Sequence, residues 1–278
     1  MIILKNPQQI ESMRKLGKIH TKLLGELWDF LRPGLDVYEV EEFYTKLLKK
    51  YKKHNIKSAC KGYQPSKKVP PYPTNLCISI DSECVHTYPT KGKIIKNGSL
   101  VVVDTVITDG VFYTDAAFTK FVMDSKKQNL SEKFSDFDYD IYIEKKRLNS
   151  VANLALQKGI SGIKPGVRVG EISFEIYKTV REAGFDVLKE YGGHGIGLYL
   201  WEEPFIPNYG PRDYGPVLKE GMTLAIETLV VSKSDKVVNI DEWATKLSDN
   251  GYFAQWEVTV AVTSSGYKIL AGDYNLLR

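Results

Sequence analysis

Apolar residues recur at helical spacing over four stretches of the chain and form near-continuous runs in several others. The helical spacing predicts helices at about 8–31, 37–53, 140–158 and 169–183. The apolar runs predict strands at about 76–80, 100–108, 111–122, 223–232, 237–240 and 255–263. Asp109-Gly110 is a hairpin turn signal between two of these strands. Because hairpin signals outnumber crossovers, we expect an α+β fold with a mainly antiparallel sheet flanked by helices.

Turn-forming residues divide the remaining sequence into loops. The stretch 61–73 is rich in proline, and 191–197 is rich in glycine and predicts a tight turn. A Pro/Tyr-rich loop is expected at 204–216. The polar stretch at about 124–139 predicts an insertion.

Two parts of the chain resemble each other. Gly98 precedes Asp104 by six residues and Gly221 precedes Glu227 by six, each across an apolar run. Upstream, residues 32–40 and 164–172 share a Pro-Gly step before an amphipathic run. We interpret this as an internal duplication within a single domain, 1–278, with halves at about 1–123 and 140–278. The alternative is coincidence, because these residues are common punctuation before helices and strands.

Composition narrows the class of protein. The 278 residues carry a net charge of +4, and the lysines are mostly scattered, which favours solvated surfaces over a nucleic-acid interface. A weak, transient contact with the ribosome is compatible with this net positive charge. No signal peptide or membrane-length apolar run is recognisable, and the three cysteines form no secreted-scaffold spacing. We therefore expect a cytoplasmic protein with reduced thiols and no membrane contact.

Acidic residues occupy places in the apolar runs where an unpaired charge is costly. Asp104 ends one such run, Glu227 ends another, and Glu257 lies inside a third. A buried carboxylate costs several kcal/mol unless it is paired or binds a metal. With Asp115 and His194, which lies in the glycine-rich stretch, these residues predict a metal site.

The predicted hairpin brings two of these acids together. Asp104 and Asp115 lie eleven residues apart across the Asp109-Gly110 turn, so both can point to one face of the sheet, beside Val102 and Tyr113. Several carboxylates with one histidine suit Co, Mn, Fe or Zn, and two ions could share bridging carboxylates. Such a pair activates water, so the expected chemistry is hydrolysis. Each residue alone has a simpler explanation as a turn former or half of an ion pair, and the hypothesis depends on the set.

At these motifs the sequence resembles the type I methionine aminopeptidase family, which has a duplicated pita-bread fold. The resemblance extends from Asn6-Pro7 to about residue 270. It includes the aspartate hairpin, the Gly-His-Gly stretch followed by Glu202-Glu203-Pro204, and the two glutamate strands. It implies two divalent metal ions, whose ligands would be Asp104, Asp115, His194, Glu227 and Glu257. The gap between His194 and Glu227 is too short for the extra domain of the type II enzymes.

The resemblance also implies substrate-binding residues. His86 matches the substrate-contacting histidine of the family and, with Glu227, would be catalytic. The side chains implied to hold methionine are a thiol and aromatic set: Cys60, Tyr63, Tyr72, Cys77 and Trp243. Thiol and aromatic groups suit a polarisable thioether.

Two adjacent positions depart from the family pattern. Trp201 occupies the place of a histidine that contacts the scissile amide, and Leu200 replaces the preceding phenylalanine. Trp201 remains a candidate substrate-binding residue, but its indole only donates a hydrogen bond and carries no transferable proton.

The resemblance implies an enzyme that removes the initiator methionine from nascent proteins. No heptad or long apolar edge in the sequence indicates a dimer, so we expect a monomer. One alternative is a Xaa-Pro aminopeptidase or dipeptidase of the same fold, although those carry an additional N-terminal domain. Another alternative is a weakly active or inactive pita-bread module that binds a partner, which Trp201 alone favours.

Overall fold

The computed structural model describes residues 1–124 and 139–276. Within them lie four α-helices: α1 (Pro7–Phe30), α2 (Val37–Lys50), α3 (Tyr139–Ser161) and α4 (Val169–Glu182). The strands in the first half are β1 (Lys57–Ser58), β2 (Cys77–Ile80), β3 (Ser99–Thr108) and β4 (Tyr113–Val122). Those that follow are β5 (Asp186–Val187), β6 (Gly192–Gly195), β7 (Glu202–Pro207), β8 (Thr223–Val231), β9 (Val237–Asn239), β10 (Thr245–Leu247), β11 (Phe253–Val262) and β12 (Tyr267–Ala271). The predicted α+β class is confirmed.

Side-chain caps determine where the first two helices begin. The Asn6 side chain accepts a hydrogen bond from the Gln9 backbone, and the Gln9 side chain accepts one from the Asn6 backbone, both at 2.9 Å. Pro7, which has no N–H to satisfy, occupies the first helical position. Asp36 and Glu39 form the same reciprocal capping box at the start of α2.

Ten strands form one sheet, and every pairing between the described strands is antiparallel. The main path runs β1-β3-β4-β11-β8-β6-β7, with β2 paired to β3, β5 to β8 and β12 to β11. The hairpins β3–β4 and β8–β11 meet at the centre, where β4 pairs with β11. Strands β9 and β10 form a separate two-stranded sheet.

The helices cover one face of this sheet and leave the other for a site. Helix α1 packs against β4 and β12, and α3 packs against β8 and β11. His20 of α1 contacts Thr105 of β3 and Thr114 of β4, so these positions face the helices. Since neighbouring residues on a strand point to opposite faces, Asp104 and Asp115 point away from the helices.

Several parts of the sequence prediction differ from the structure. The glycine-rich stretch, expected to be a turn, contains strand β6, because the absence of a side chain lets it approach its neighbour: a Cβ on Gly193 would lie 2.4 Å from the Ala225 carbonyl oxygen. The loop expected at 204–216 begins inside β7, which lies at the end of the sheet path, where proline is tolerated. Helix α2 ends at Lys50, and a 3-10 turn, Lys52–His54, follows.

Most of the insertion predicted at about 124–139 lies outside the described residues, which exclude 125–138. Among the helices of the described ranges, none is long and apolar enough to cross a membrane.

Candidate active site

Three of the predicted acidic ligands lie in one row across the sheet. Asp104 of β3 is the register partner of Ala117 of β4, which is also the partner of Glu257 of β11. Glu257 in turn pairs with Glu227 of β8. Directly opposite residues of antiparallel strands point to the same face. The three carboxylates therefore share one face, and the small Ala117 leaves room between two of them.

A second row, two residues further along the strands, brings in the other two predicted ligands. Thr259 of β11 pairs with Ala225 of β8, and Ala225 pairs with His194 of β6. The Thr259 hydroxyl links this row to β4, since it accepts from the Asp115 N–H at 3.0 Å and donates to the Asp115 carbonyl at 2.7 Å. His194 Nε2 lies 3.7 Å from Asp115 Oδ2. The two rows together place four carboxylates close to the His194 imidazole on one face of the sheet.

The carboxylates raise one another's proton affinity. Burial raises the pKa of the Asp104 and Glu257 carboxyls well above their ordinary range, and the Asp115 charge raises both further. Burial also raises the pKa of Glu227 to about 7, although His194 acts in the opposite direction. Burial lowers the pKa of His194, but the adjacent Asp115 carboxylate outweighs it and the net pKa is raised. A bound cation would relieve this concentration of buried negative charge.

The atoms that could bind a cation are free and suitably directed. His194 Nδ1 lies 2.8 Å from the Gly195 carbonyl oxygen. Because a carbonyl only accepts, the proton is assigned to Nδ1 and the Nε2 lone pair faces Asp115. Among the described residues, Asp115 Oδ1 is one of the few buried side-chain atoms without a hydrogen-bond partner. Ligand atoms of Asp115, His194 and Glu257 all lie within 4.8 Å of one another. These donors fit a divalent metal of the Mn, Fe, Co or Zn class.

One cavity of about 320 Å³ joins the predicted ligands to the predicted substrate residues. All five predicted ligands line it: Asp104, Asp115, His194, Glu227 and Glu257. The predicted substrate residues line it too: Cys60, Tyr63, Tyr72, Cys77, His86, Trp201 and Trp243. Leu200, which replaces the phenylalanine of the family pattern, also lines it. Residues that the sequence reasoning did not single out complete the wall: Pro65, Val85, Val106, Glu190, Tyr191, Gly192 and Phe205. We call this space the central cavity.

One end of the central cavity is an aromatic box. The ring of Tyr72 lies edge-on to that of Trp243, with centroids 5.2 Å apart, and the Tyr63 ring lies 6.3 Å from Trp243. The Trp243 indole N–H donates to the Pro70 carbonyl at 2.9 Å, which ties the ring to the proline-rich loop. The buried side chain of Cys77, the register partner of Asp104, joins this box to the acidic row.

His86 lies between the box and the acidic rows. Its ring is edge-on to Trp243 and to Tyr191, with centroid distances of 6.4 and 5.8 Å. Burial lowers its pKa, although Asp115 acts in the opposite direction, so the imidazole is neutral near pH 7. Its φ of 62° is rare for a residue with a side chain, and Tyr72 donates a hydrogen bond to its carbonyl at 3.4 Å. The surrounding structure therefore holds His86 against the cavity.

Trp201 lines the central cavity beside His194. Its ring packs on that of His194 with centroids 4.0 Å apart and an interplanar angle of 36°. The residue is 47% exposed. The indole therefore covers one face of the candidate metal-binding imidazole.

Sequence reasoning missed two polar residues that support the rows. The Gln255 side chain donates to Glu227 Oε2 at 3.2 Å. Thr259 bridges β4 and β11 as described above. Both residues lie two positions from Glu257 on the same strand, so strand alternation was the signal that could have identified them.

Comparison with known proteins gives consistent matches over almost the whole chain. The model of metallopeptidase family M24 matches residues 11–264. Methionine aminopeptidase 1 of Bacillus subtilis is 32% identical over 271 residues, which cover 97% of this chain and 99% of that protein. Methionine aminopeptidase of Escherichia coli K12 is 33% identical over 271 residues, which cover 97% and 93%.

Solved structures agree. The crystal structure of methionine aminopeptidase from Thermotoga maritima has a TM-score of 0.86 and 36% identity, and the match covers 98% of this chain and all of that one. The prolidase from Pyrococcus furiosus shares the fold alone, with a TM-score of 0.67 and 21% identity, and the match covers 66% of its chain.

Proposed function

The chain belongs to metallopeptidase family M24, and on that premise we propose that it is an aminopeptidase that removes N-terminal methionine from nascent proteins. The observation that carries the proposal is the central cavity, which has the five candidate ligands at its floor and a thiol and aromatic box at one end. The ligands account for hydrolysis, and the box accounts for selection of the first side chain.

In this proposal the two rows of donors would hold two divalent ions. The ligands are Asp104, Asp115, His194, Glu227 and Glu257. When bound, such ions supply Lewis-acid polarisation of a carbonyl and a water of lowered pKa. The unpartnered Asp115 Oδ1 and the His194 Nε2 that faces Asp115 support this assignment.

The side chains of the cavity have separate roles. Glu227, oriented by the hydrogen bond from Gln255, accepts the proton of the attacking water and passes it to the departing amine. Glu257 is its register partner and the alternative proton acceptor. The neutral His86, on the wall between the box and the acidic rows, contacts and positions the first peptide unit.

The aromatic box binds the methionine side chain. An unbranched thioether fills irregular apolar space and makes favourable contacts with aromatic rings. Cys60 and Cys77 add polarisable sulfur, while Tyr63, Tyr72 and Trp243 supply ring edges and faces. Binding of the free α-amino group near the carboxylates would limit cleavage to the first peptide bond.

The wider assignments also belong to this proposal. The chain acts as a monomer with one catalytic domain whose halves arose by duplication, and it works in the cytoplasm, where nascent chains and a transient ribosome contact are available. Two threonines support the duplication. Thr119 of β4 bridges the Gln255 N–H and carbonyl at 2.8 and 2.7 Å, as Thr259 of β11 bridges those of Asp115. The three free, buried cysteines suit a reducing compartment.

To test the proposal, the protein is first prepared free of metal; Mn, Fe, Co or Zn is then added in turn, and the release of methionine is measured. We expect metal-dependent release of methionine from a Met-Gly-Gly peptide and none from the same protein with a chelator. Glu227→Ala should abolish release, whereas Glu220→Ala, which removes an exposed carboxylate near the same strand, should not.

Two outcomes would contradict the proposal. Cleavage of Xaa-Pro peptides in preference to Met-Gly-Gly would indicate a dipeptidase or aminopeptidase of the prolidase type. Metal binding without cleavage of any peptide would indicate a non-catalytic module.

A further inference from the structure

Trp201 separates the central cavity from a second space on the protein surface. That space, which we call the outer depression, has a volume of about 440 Å³ and is lined by Met1, Ile3, His194, Tyr199, Trp201, Glu202, Glu203 and Phe205. His194, Trp201 and Phe205 line both spaces. Because the indole packs on the His194 ring, it forms the wall at the point where the two spaces meet.

The order of strands indicates which part of a substrate meets this wall. The thiol and aromatic box adjoins β2 and β3, through Cys77 and Val106. His194 and Phe205 belong to β6 and β7, at the other end of the sheet path. A peptide whose first side chain enters the box and whose first peptide bond lies over the carboxylates therefore directs its second residue toward Trp201.

A buried ion pair holds the segment that carries Trp201. Lys5 Nζ pairs with Glu202 Oε2, and the two side chains are only 1% and 2% exposed. Glu202 Oε1 accepts hydrogen bonds from the backbone N–H groups of Leu198 and Tyr199 at 2.7 and 3.1 Å. The Lys5 side chain also passes over Gly197, where a Cβ would lie 2.2 Å from Lys5 Cε. These contacts hold the backbone on both sides of Trp201, and the packing of the indole on the His194 ring sets the direction of its side chain.

We propose that Trp201 is the specificity-determining residue for the second position of the substrate, and that Lys5 and Glu202 are positioning residues that keep it there. The proposal rests on the proposed function. The fixed indole leaves room for glycine or alanine after methionine and excludes branched or aromatic side chains. Its removal joins the central cavity to the outer depression, which would admit a larger second residue.

The test compares kcat/KM for Met-Gly-Gly and Met-Leu-Gly in the wild type, Trp201→Ala and Trp201→Phe. We expect the ratio of Met-Leu-Gly to Met-Gly-Gly to rise roughly tenfold or more in Trp201→Ala, the scale on which pockets discriminate small differences in side-chain size. Trp201→Phe keeps a ring at the wall and should change the ratio less. Tyr199→Ala is the matched control: Tyr199 is 64% exposed and lines the outer depression, and the described residues that line the central cavity do not include it.

A second measurement tests the positioning residues without catalysis. The emission of Trp201 is isolated as the difference between the metal-free wild type and Trp201→Phe, and its quenching by acrylamide is recorded. Lys5→Met, compared with Lys5→Met/Trp201→Phe, should increase the quenching constant of Trp201. In the loaded enzyme Lys5→Met should raise the Met-Leu-Gly ratio in the same direction as Trp201→Ala.

The outcomes separate the two proposals. A Trp201→Ala enzyme that cleaves both peptides with an unchanged ratio would overturn the role of Trp201 and leave the proposed function standing. Unchanged acrylamide quenching in Lys5→Met would overturn the positioning role. A wild type that cleaves neither peptide with any metal would overturn the proposed function and this inference with it.

Discussion

His20 provides a quantitative test of how the hairpin that carries two of the candidate ligands is held. Its fully buried ring joins Thr114 through Nδ1 at 2.9 Å and Thr105 through Nε2 at 2.8 Å. Thr105 directly follows Asp104, and Thr114 directly precedes Asp115. Because neighbouring residues of a strand point to opposite faces, the two threonines lie on the face of the sheet opposite the two aspartates. Burial lowers the pKa of His20 to about 3. The folded protein therefore keeps this imidazole neutral well below the pH at which the unfolded chain protonates it.

The sign and size of the effect follow from proton linkage. Between the folded pKa of about 3 and the ordinary value of 6.5, only the unfolded state binds a proton at His20. The stability contributed by the neutral ring is thus present above pH 6.5 and is lost as the pH falls. The loss is about 1.4 kcal/mol per pH unit within this window, or about 2 kcal/mol between pH 7 and pH 5.

The measurement is urea unfolding of the metal-free wild type and His20→Gln at pH 5, 6 and 7. The raised carboxyl pKa values, such as that of Glu227 at about 7, give stability that is present at low pH and lost as the pH rises. That contribution is common to both proteins and cancels in the difference. We expect the stability advantage of the wild type over His20→Gln to fall by about 2 kcal/mol from pH 7 to pH 5.

This test has a control variant and a result that would contradict it. His54→Gln, which removes an exposed histidine from the 3-10 turn, is the control for the substitution itself. If the free energies of unfolding of the wild type and His20→Gln differ by the same amount at pH 7 and pH 5, the conclusion that buried His20 stays neutral in the folded protein is wrong.

Three further predictions concern the candidate metal site. A divalent ion at one hundred times its dissociation constant should stabilise the protein by about 2.7 kcal/mol, and Glu257→Ala should lose most of this gain in a thermal-shift assay. Thr259→Val and Thr119→Val should each cost about 1–3 kcal/mol in urea unfolding, because each leaves a buried N–H and carbonyl between β4 and β11 without a partner; only Thr259→Val should also weaken metal binding in calorimetry. Gln255→Leu should lower kcat by roughly tenfold or more through misorientation of Glu227, and an unchanged kcat would contradict the proton-transfer assignment.

The parts of the fold that sequence reasoning predicted are those with strong local signals. Apolar residues at helical spacing mark α1, and continuous apolar runs mark β3, β4, β8 and β11. The strands that were missed are short and do not alternate clearly, as with Tyr267–Ala271, or are rich in glycine, as with Gly192–Gly195. In Gly192–Gly195 the glycines allow a close approach to a neighbouring strand and do not form a turn. The sequence of this segment fits either role, and the position of the neighbouring strand decides between them.

The same limit explains which parts of the site were predictable. A carboxylate inside an apolar run, such as Glu257, is conspicuous because of its cost in a buried strand. The register that aligns Asp104, Ala117, Glu257 and Glu227 in one row depends on pairing between distant strands, which local sequence does not encode. The supporting hydroxyl of Thr259 was missed for the same reason, since its partner lies 144 residues away.

The register also explains how a duplicated sheet could hold a directional site. Asp104 pairs with Ala117 in one hairpin, and Glu227 pairs with Glu257 in the other, so the proposed duplication makes Ala117 and Glu257 equivalent. By the same spacing, Asp115 corresponds to Gln255. At these two pairs of positions a ligand in one half corresponds to a small or neutral residue in the other, whereas Asp104 and Glu227, which are also equivalent, are both candidate ligands. A symmetric set of ligands would present the same surface to both ends of a peptide. Because some ligands of one half are replaced by other residues in the other half, the end of the site next to the thiol and aromatic box differs from the end next to Trp201. The proposed cleavage after a single terminal residue requires such a difference.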